Sequence, residues 1–166
     1  MSEAQTEVIA ALLSSSPTQI KFLEKIPLDG TDLMISPFES SPEFYDRWWR
    51  VGQPVYESSR TVLNIQGVLC GYEIARALVV DDRQPVSEAY GVPFSTQDFL
   101  EISFFETAQS VRRRGVGTKV VQMIRQELGD RPMIAFSEDA DPFWASLGWE
   151  RFEHENGRNR PLFICR

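Results

Sequence analysis

From Leu100 to Leu128 the chain reads LEISFFETAQSVRRRGVGTKVVQMIRQEL, and the spacing of its apolar positions changes part-way through. Ile102, Phe104 and Phe105 supply the apolar and aromatic content of a β-strand. Val116, Val120, Ile124 and Leu128 then recur four apart, which places them on one face of a helix. A continuous apolar run follows from Pro132 to Phe136, the pattern of a buried strand parallel to the first, and this completes a βαβ unit. Asp141-Pro142 caps a short helix that Gly148 closes. Beyond it, Asn156-Gly157 marks a turn between a strand near Trp149 to Glu153 and one near Arg160 to Cys165. The pattern predicts an α/β (α+β) fold with a mixed central sheet flanked by helices.

The first hundred residues are patterned less regularly. A short helix is expected near Glu3 to Leu13, and two apolar runs, Phe22 to Ile26 and Leu33 to Ile35, read as one or two strands around an Asp29-Gly30 turn. Ser41-Pro42-Glu43 has the hydroxyl, proline and acid of a helix start. That helix should run to about Val51, with Phe44, Trp48 and Val51 on one stripe and Tyr45 with Trp49 on the next. Thr61 to Ile65 and Val68 to Val80 read as an antiparallel pair joined around Gly67. The connection DDRQPVSEAYGVPFSTQD is long for a compact domain, and is either a lid or a surface excursion with a short helix of its own.

Composition narrows the class. A chain of 166 residues with 42% hydrophobic content suits one domain, 1–166. The start MSEAQTEVIAALLSSS has an acidic flank where a secretory signal has a basic one. No apolar run approaches the ~20 residues of a membrane span, so a cytoplasmic protein with no membrane partner is expected. Cys70 and Cys165 lie in strand-like surroundings and read as small buried hydrophobes. With one histidine, His154, no His/Cys metal cluster can be assembled, and nothing in the pattern calls for a metal. The net charge of −7 argues against nucleic acid as a partner.

Against that acidic background, three consecutive arginines at the strand-to-helix turn stand out. Arg112, Arg113 and Arg114 precede Gly115 and Gly117, and the first amides of the predicted helix have no intrahelical partner. Such a turn binds an anion. Two nucleotide motifs fail here: a dinucleotide loop needs a small residue where Val120 stands, and a Walker loop needs Gly-Lys-Ser/Thr where the chain has Gly117, Thr118, Lys119. The string Arg112 to Gly117 instead resembles the Gln/Arg-x-x-Gly-x-Gly/Ala pyrophosphate loop of the GNAT superfamily, acetyl-coenzyme A-dependent N-acetyltransferases. PFWASLGWERF, Pro142 to Phe152, is a second segment similar to the family, and the two together span roughly the C-terminal 60 residues.

The resemblance implies a GNAT-like fold and acetyl transfer from acetyl-CoA to a primary amine of a small molecule or protein. It puts Arg112, Arg113, Arg114, Gly115, Val116, Gly117 and Thr118 at the pyrophosphate, and backbone groups of Phe105 and Thr107 along the pantetheine arm. Glu101, eleven residues before Arg112, falls on the strand position of the general base. It is either that base or a solvated edge residue; Glu106 is the second candidate, on the opposite side of the strand by simple alternation. Tyr45 or Trp49 is a candidate lining of the acceptor pocket. Trp144 occupies the position of the family's proton-donating tyrosine, and an indole is no proton source. That leaves Tyr72 and Tyr90 as candidate acids, Trp144 as a packed aromatic, and a non-catalytic acyl-coenzyme A sensor as the rival reading. The acceptor, the acyl length and the choice between monomer and homodimer stay open at this level.

Overall fold

The computed structural model describes residues 11, 15–24, 26–27, 33–45, 53–54, 61–81 and 84–166. Its strands are β1 (Thr18–Leu23), β2 (Ile26–Pro27), β3 (Leu33–Ile35), β4 (Gln53–Pro54), β5 (Thr61–Leu69), β6 (Tyr72–Asp81), β7 (Leu100–Thr107), β8 (Met133–Phe136), β9 (Glu150–Phe152) and β10 (Leu162–Cys165). Two α-helices are described, α1 (Val116–Glu127) and α2 (Asp141–Ser146). Seven strands form one sheet in the order β1-β5-β6-β7-β8-β10-β9, while β2, β3 and β4 form a small antiparallel sheet. Only β7 and β8 pair in parallel in the large sheet, so it is mixed, as the apolar patterning predicts. The helix expected at Glu3 to Leu13 lies, but for Ala11, outside the described residues, as do Trp48, Trp49 and Val51. Ser41 to Phe44 form a turn, with the Phe44 amide donating to the Ser41 carbonyl at 3.3 Å.

α1 covers one face of the sheet. Val116, Val120, Val121 and Ile124 are its buried residues, and they pack with Ile65, Ala75, Ala77, Val79, Leu100, Ile102, Met133, Ala135 and Phe163. The other face carries two separate apolar clusters. Val62, Leu78 and Val80 form one with Phe104; Tyr90, Ile134, Leu162 and Ile164 form the other with Val86, Phe94, Phe99, Phe136 and Phe152. The long connection before β7 is therefore part of this second cluster. Its 3-10 turn at Glu88–Tyr90 is bonded to the β9–β10 hairpin by the Glu155 amide at the Ala89 carbonyl, 2.8 Å.

Three local expectations are corrected. Gly67 is not the hairpin turn; Leu69 pairs with Tyr72, and Cys70 and Gly71, at φ 50 and 83, make a two-residue turn between them. Gly67 sits inside β5 under the helix, where an added Cβ would lie 3.2 Å from both Ala75 Cβ and Val120 Cγ2 and would have to push one of them aside by a few tenths of an ångström. As a turn residue Cys70 is exposed rather than buried. Asp141 lies in the first turn of α2, and Ala140 is the capping position.

Candidate functional site

Past its first two residues, β7 separates from β8. The pairing is confined to Leu100 with Met133 and Glu101 with Ile134. Beyond that point β7 continues against β6 as far as Thr107, and β8 against β10 as far as Phe136. A wedge opens between the C-terminal halves of two parallel strands, the side of an α/β sheet where ligands bind. Glu101 stands at its apex, half-buried, on the last shared rung and level with Val80 and Ile134, both buried.

The strand itself is not regular. Val79 pairs with Ile102 and Leu78 with Phe104, so Ser103 is an extra residue, a β-bulge, and its hydroxyl donates to the Leu78 carbonyl at 3.4 Å. Residues directly opposite in a sheet share a face. Ile102, Phe105 and Thr107 accordingly lie on the α1 face, with Val79, Ala77 and Ala75. Glu101, Phe104 and Glu106 lie together on the other, level with Val80, Leu78 and Arg76. The expectation that Glu101 and Glu106 face opposite sides is thus corrected: the bulge shifts the alternation by one and brings both carboxylates to one face.

Their surroundings differ. The Glu106 side chain is 9% exposed, and its Oε1 accepts from the Arg112 guanidinium at 3.1 Å and from the Tyr45 amide at 2.8 Å. Arg112 also donates from Nε to the Thr107 carbonyl at 3.2 Å, and its guanidinium lies 5.3 Å from the centre of the Tyr45 ring. The first arginine of the cluster is thereby turned back onto β7, whereas Arg113 is exposed, at φ 60.

At the mouth of the wedge the chain enters α1. Gly115 takes φ 74 as the residue before the helix, with open space where a Cβ would be. The Lys119 amide, donating to the Gly115 carbonyl at 3.1 Å, makes the first helical bond. The amides of Val116, Gly117 and Thr118 are then first-turn donors, which helix geometry leaves without an intrahelical carbonyl. Gly117 has a packing reason for its identity that its motif position does not reveal. An added Cβ would meet Phe143 Cε2 at 2.9 Å and Phe105 Cε1 at 3.4 Å, and those two rings stack at 5.6 Å with 6° between their planes.

Neither candidate tyrosine reaches this site as an acid. Tyr72 is 72% exposed at the start of β6. The Tyr90 hydroxyl donates to the Arg160 carbonyl at 2.9 Å in the cluster beside β10, and burial pushes its pKa up, with Arg160 opposing and Glu153 adding to the shift. Trp144 is buried in the core, its ring 4.9 Å from those of Phe143 and Trp149. Near the C-terminal end of β8, Ser137, Asp139, Asp141, Arg158 and Arg160 line a shallow groove of about 450 Å³.

Sequence reasoning missed Glu43. Its carboxylate accepts from the Ser110 amide at 2.8 Å and its carbonyl from the Gln109 amide at 3.0 Å, pinning the turn between β7 and α1 to a segment 67 residues earlier. Glu43 reads locally as a first-turn helix acid, so no nearby signal points to that partner.

No family model matches the chain, and no curated protein matches it. Among solved structures it is similar to the Bacillus subtilis N-acetyltransferase YlbP protein in complex with coenzyme A, at 16% identity and a TM-score of 0.46. That likeness covers 62% of this chain and 66% of that one, so it spans just under two thirds of that protein. It is also similar to an aminoglycoside 6'-N-acetyltransferase complexed with coenzyme A, at 12% identity and a TM-score of 0.39, over 65% of this chain and 72% of that one.

Proposed function

We propose that this chain is a GNAT-superfamily N-acetyltransferase that moves an acetyl group from acetyl-CoA to a primary amine of a small molecule or protein. The observation that carries this reading is the wedge between β7 and β8, with a carboxylate at its apex and the unpaired first-turn amides of α1 at its mouth. The amides of Val116 to Thr118 suit a pyrophosphate, and the strand edge of Phe105 to Thr107 suits the amide groups of a pantetheine arm. Acetyl-CoA supplies the acyl group as a thioester: the amine nitrogen bonds to the acyl carbon, the carbon–sulfur bond breaks, and the proton that the nitrogen sheds on becoming an amide passes through water to the thiolate. Glu101 accepts the proton that the attacking ammonium must lose. Glu106 is the weaker candidate base, because Arg112 and the Tyr45 amide hold its carboxylate. An amine acceptor, no nucleic acid, no membrane and a cytoplasmic setting complete the reading.

Trp144 and Tyr90 give a second reading a foothold, that of a non-catalytic acyl-coenzyme A sensor, since the position of the acid holds a buried indole and the tyrosine hydroxyl is occupied. Thiol release from acetyl-CoA in the presence of polyamines, amino-acid amides and lysine peptides separates the two. Amine-dependent release is expected, and Glu101→Gln should lower it roughly a hundredfold or more at neutral pH, less at high pH where the amine deprotonates unaided. Coenzyme A binding without release for any amine would favour the sensor. Equal turnover in Glu101→Gln would remove Glu101 from the mechanism.

A further inference from the structure

The segment from Glu39 to Tyr45 is fastened to the turn between β7 and α1 at successive points. Glu43 accepts the amides of Gln109 and Ser110, the Gln109 side chain donates to the Pro42 carbonyl at 3.5 Å, and Glu106 accepts the Tyr45 amide. Arg112 then bridges Glu106, the Thr107 carbonyl and the face of the Tyr45 ring. Behind this clasp, Phe44 is buried under the guanidinium of Arg76, 4.1 Å from its ring centre. Arg76 is 1% exposed and paired with Glu73 at 2.7 Å, and it also donates to the Glu39 carbonyl.

We propose that Glu106, Arg112 and Glu43 are positioning residues that lock the proposed pyrophosphate turn to the Glu39 to Tyr45 segment, so that coenzyme A bound at the turn tightens that segment. This rests on the proposed function for the ligand, and on the geometry above for the coupling. Between Thr107 and Gly115 the turn is held to the sheet by the Ala108 amide at the Ile74 carbonyl of β6, 2.9 Å, and by buried Ala108 and Val111, while Arg113 takes a positive φ that a non-glycine residue adopts at a cost. The clasp adds to that anchorage the bonds of Glu43 to the Gln109 and Ser110 amides and of Gln109 to Pro42. A ligand that fixes the amides of Val116 to Thr118 therefore also fixes the acceptors on Glu43 and Glu106, and two sites biased by one element are coupled in both directions. Arg112 acts through Glu106, not on phosphate.

The test is amide hydrogen exchange at Tyr45 and Ser110 with and without saturating coenzyme A, beside calorimetry of coenzyme A binding, in the parent, Arg112→Met and Arg112→Lys. Exchange at Tyr45 in the parent should slow about tenfold on binding, within the range usual for coupled sites. In Arg112→Met that slowing should vanish while coenzyme A still binds, and Arg112→Lys should restore part of it. A merely structural role for Arg112 would instead raise exchange equally with and without ligand. No binding of coenzyme A to the parent would overturn the proposed function and the coupling together. Binding that leaves Tyr45 exchange unchanged would overturn the coupling alone. Binding that speeds it would mean Arg112 leaves Glu106 for the phosphates, also against the proposal.

Discussion

Tyr90 and Trp144 are both buried aromatics, and each makes a distinct prediction. Burial favours the neutral Tyr90 hydroxyl in the fold, so its pKa lies above the ordinary 10.0. A raised folded value means the stabilisation is fully present below about pH 10 and is lost as pH rises through the folded value. Tyr90→Phe should therefore cost on the order of 1 kcal/mol at neutral pH, from the lost bond to the Arg160 carbonyl. Above pH 10, thermal melts of the parent should fall toward those of the variant; curves that run parallel would show that the hydroxyl is as solvated in the fold as in the unfolded chain. Trp144→Phe should leave turnover largely intact while lowering stability by about 1–3 kcal/mol, because the indole fills the space between Phe143 and Trp149. A folded variant that binds coenzyme A but has lost turnover would place the indole at the leaving thiolate. Gly117→Ala pushes a methyl against Phe143, so a stability loss of about 1 kcal/mol even without ligand is expected from its melt.

The central unit β7-α1-β8 was legible because each element carries its own period. The four-residue spacing of Val116, Val120 and Ile124 survives as the buried face of α1, with Val121 added. Ile124→Ala, at full burial, should cost about 3 kcal/mol in chemical denaturation. The bulge was not legible, since Ser103 in a strand reads as an ordinary solvent-facing residue, and only the register with β6 reveals that it is surplus. The error over Glu106 follows from that alone. Deleting Ser103 removes the surplus residue and leaves Leu100, Glu101, Ile102 and Phe104 on the faces they already hold, so the variant should still melt cooperatively, and Ser103→Ala should stay within about 0.5–1 kcal/mol of the parent. A deletion variant with no cooperative melt would deny the bulge, because in a regular strand the loss of one residue turns Leu100 and Ile102 out of the core and Glu101 into it. The clasp was invisible for a different reason: Glu43 and Ser110, or Tyr45 and Glu106, are joined by sheet topology across more than sixty residues, and no local spacing encodes that.

At the scale of the molecule, a chain of net charge −7 concentrates cations beside a helix start at the mouth of a wedge. Overall repulsion of an anionic ligand is then opposed by a short-range attraction at one place, which salt screens over about 8–10 Å at physiological strength. The sheet supplies the rest, because parallel strands that part after one shared rung beyond Leu100 leave a slot whose floor is the rung holding Glu101. The central claim is that coenzyme A occupies this slot with its pyrophosphate on α1. It is tested most directly by calorimetric titration of coenzyme A into the parent and Thr118→Glu. That substitution puts a carboxylate at the first-turn amides and leaves Gly117 unchanged beside Phe143, and an acid in the first turn of a helix is itself stabilising, so the fold should be retained. The parent should bind, with a melting temperature that rises as expected for about 2.7 kcal/mol at a hundredfold excess over the dissociation constant. Thr118→Glu, equally folded, should show neither heat nor shift; equal binding by both proteins would contradict the placement of the pyrophosphate on α1.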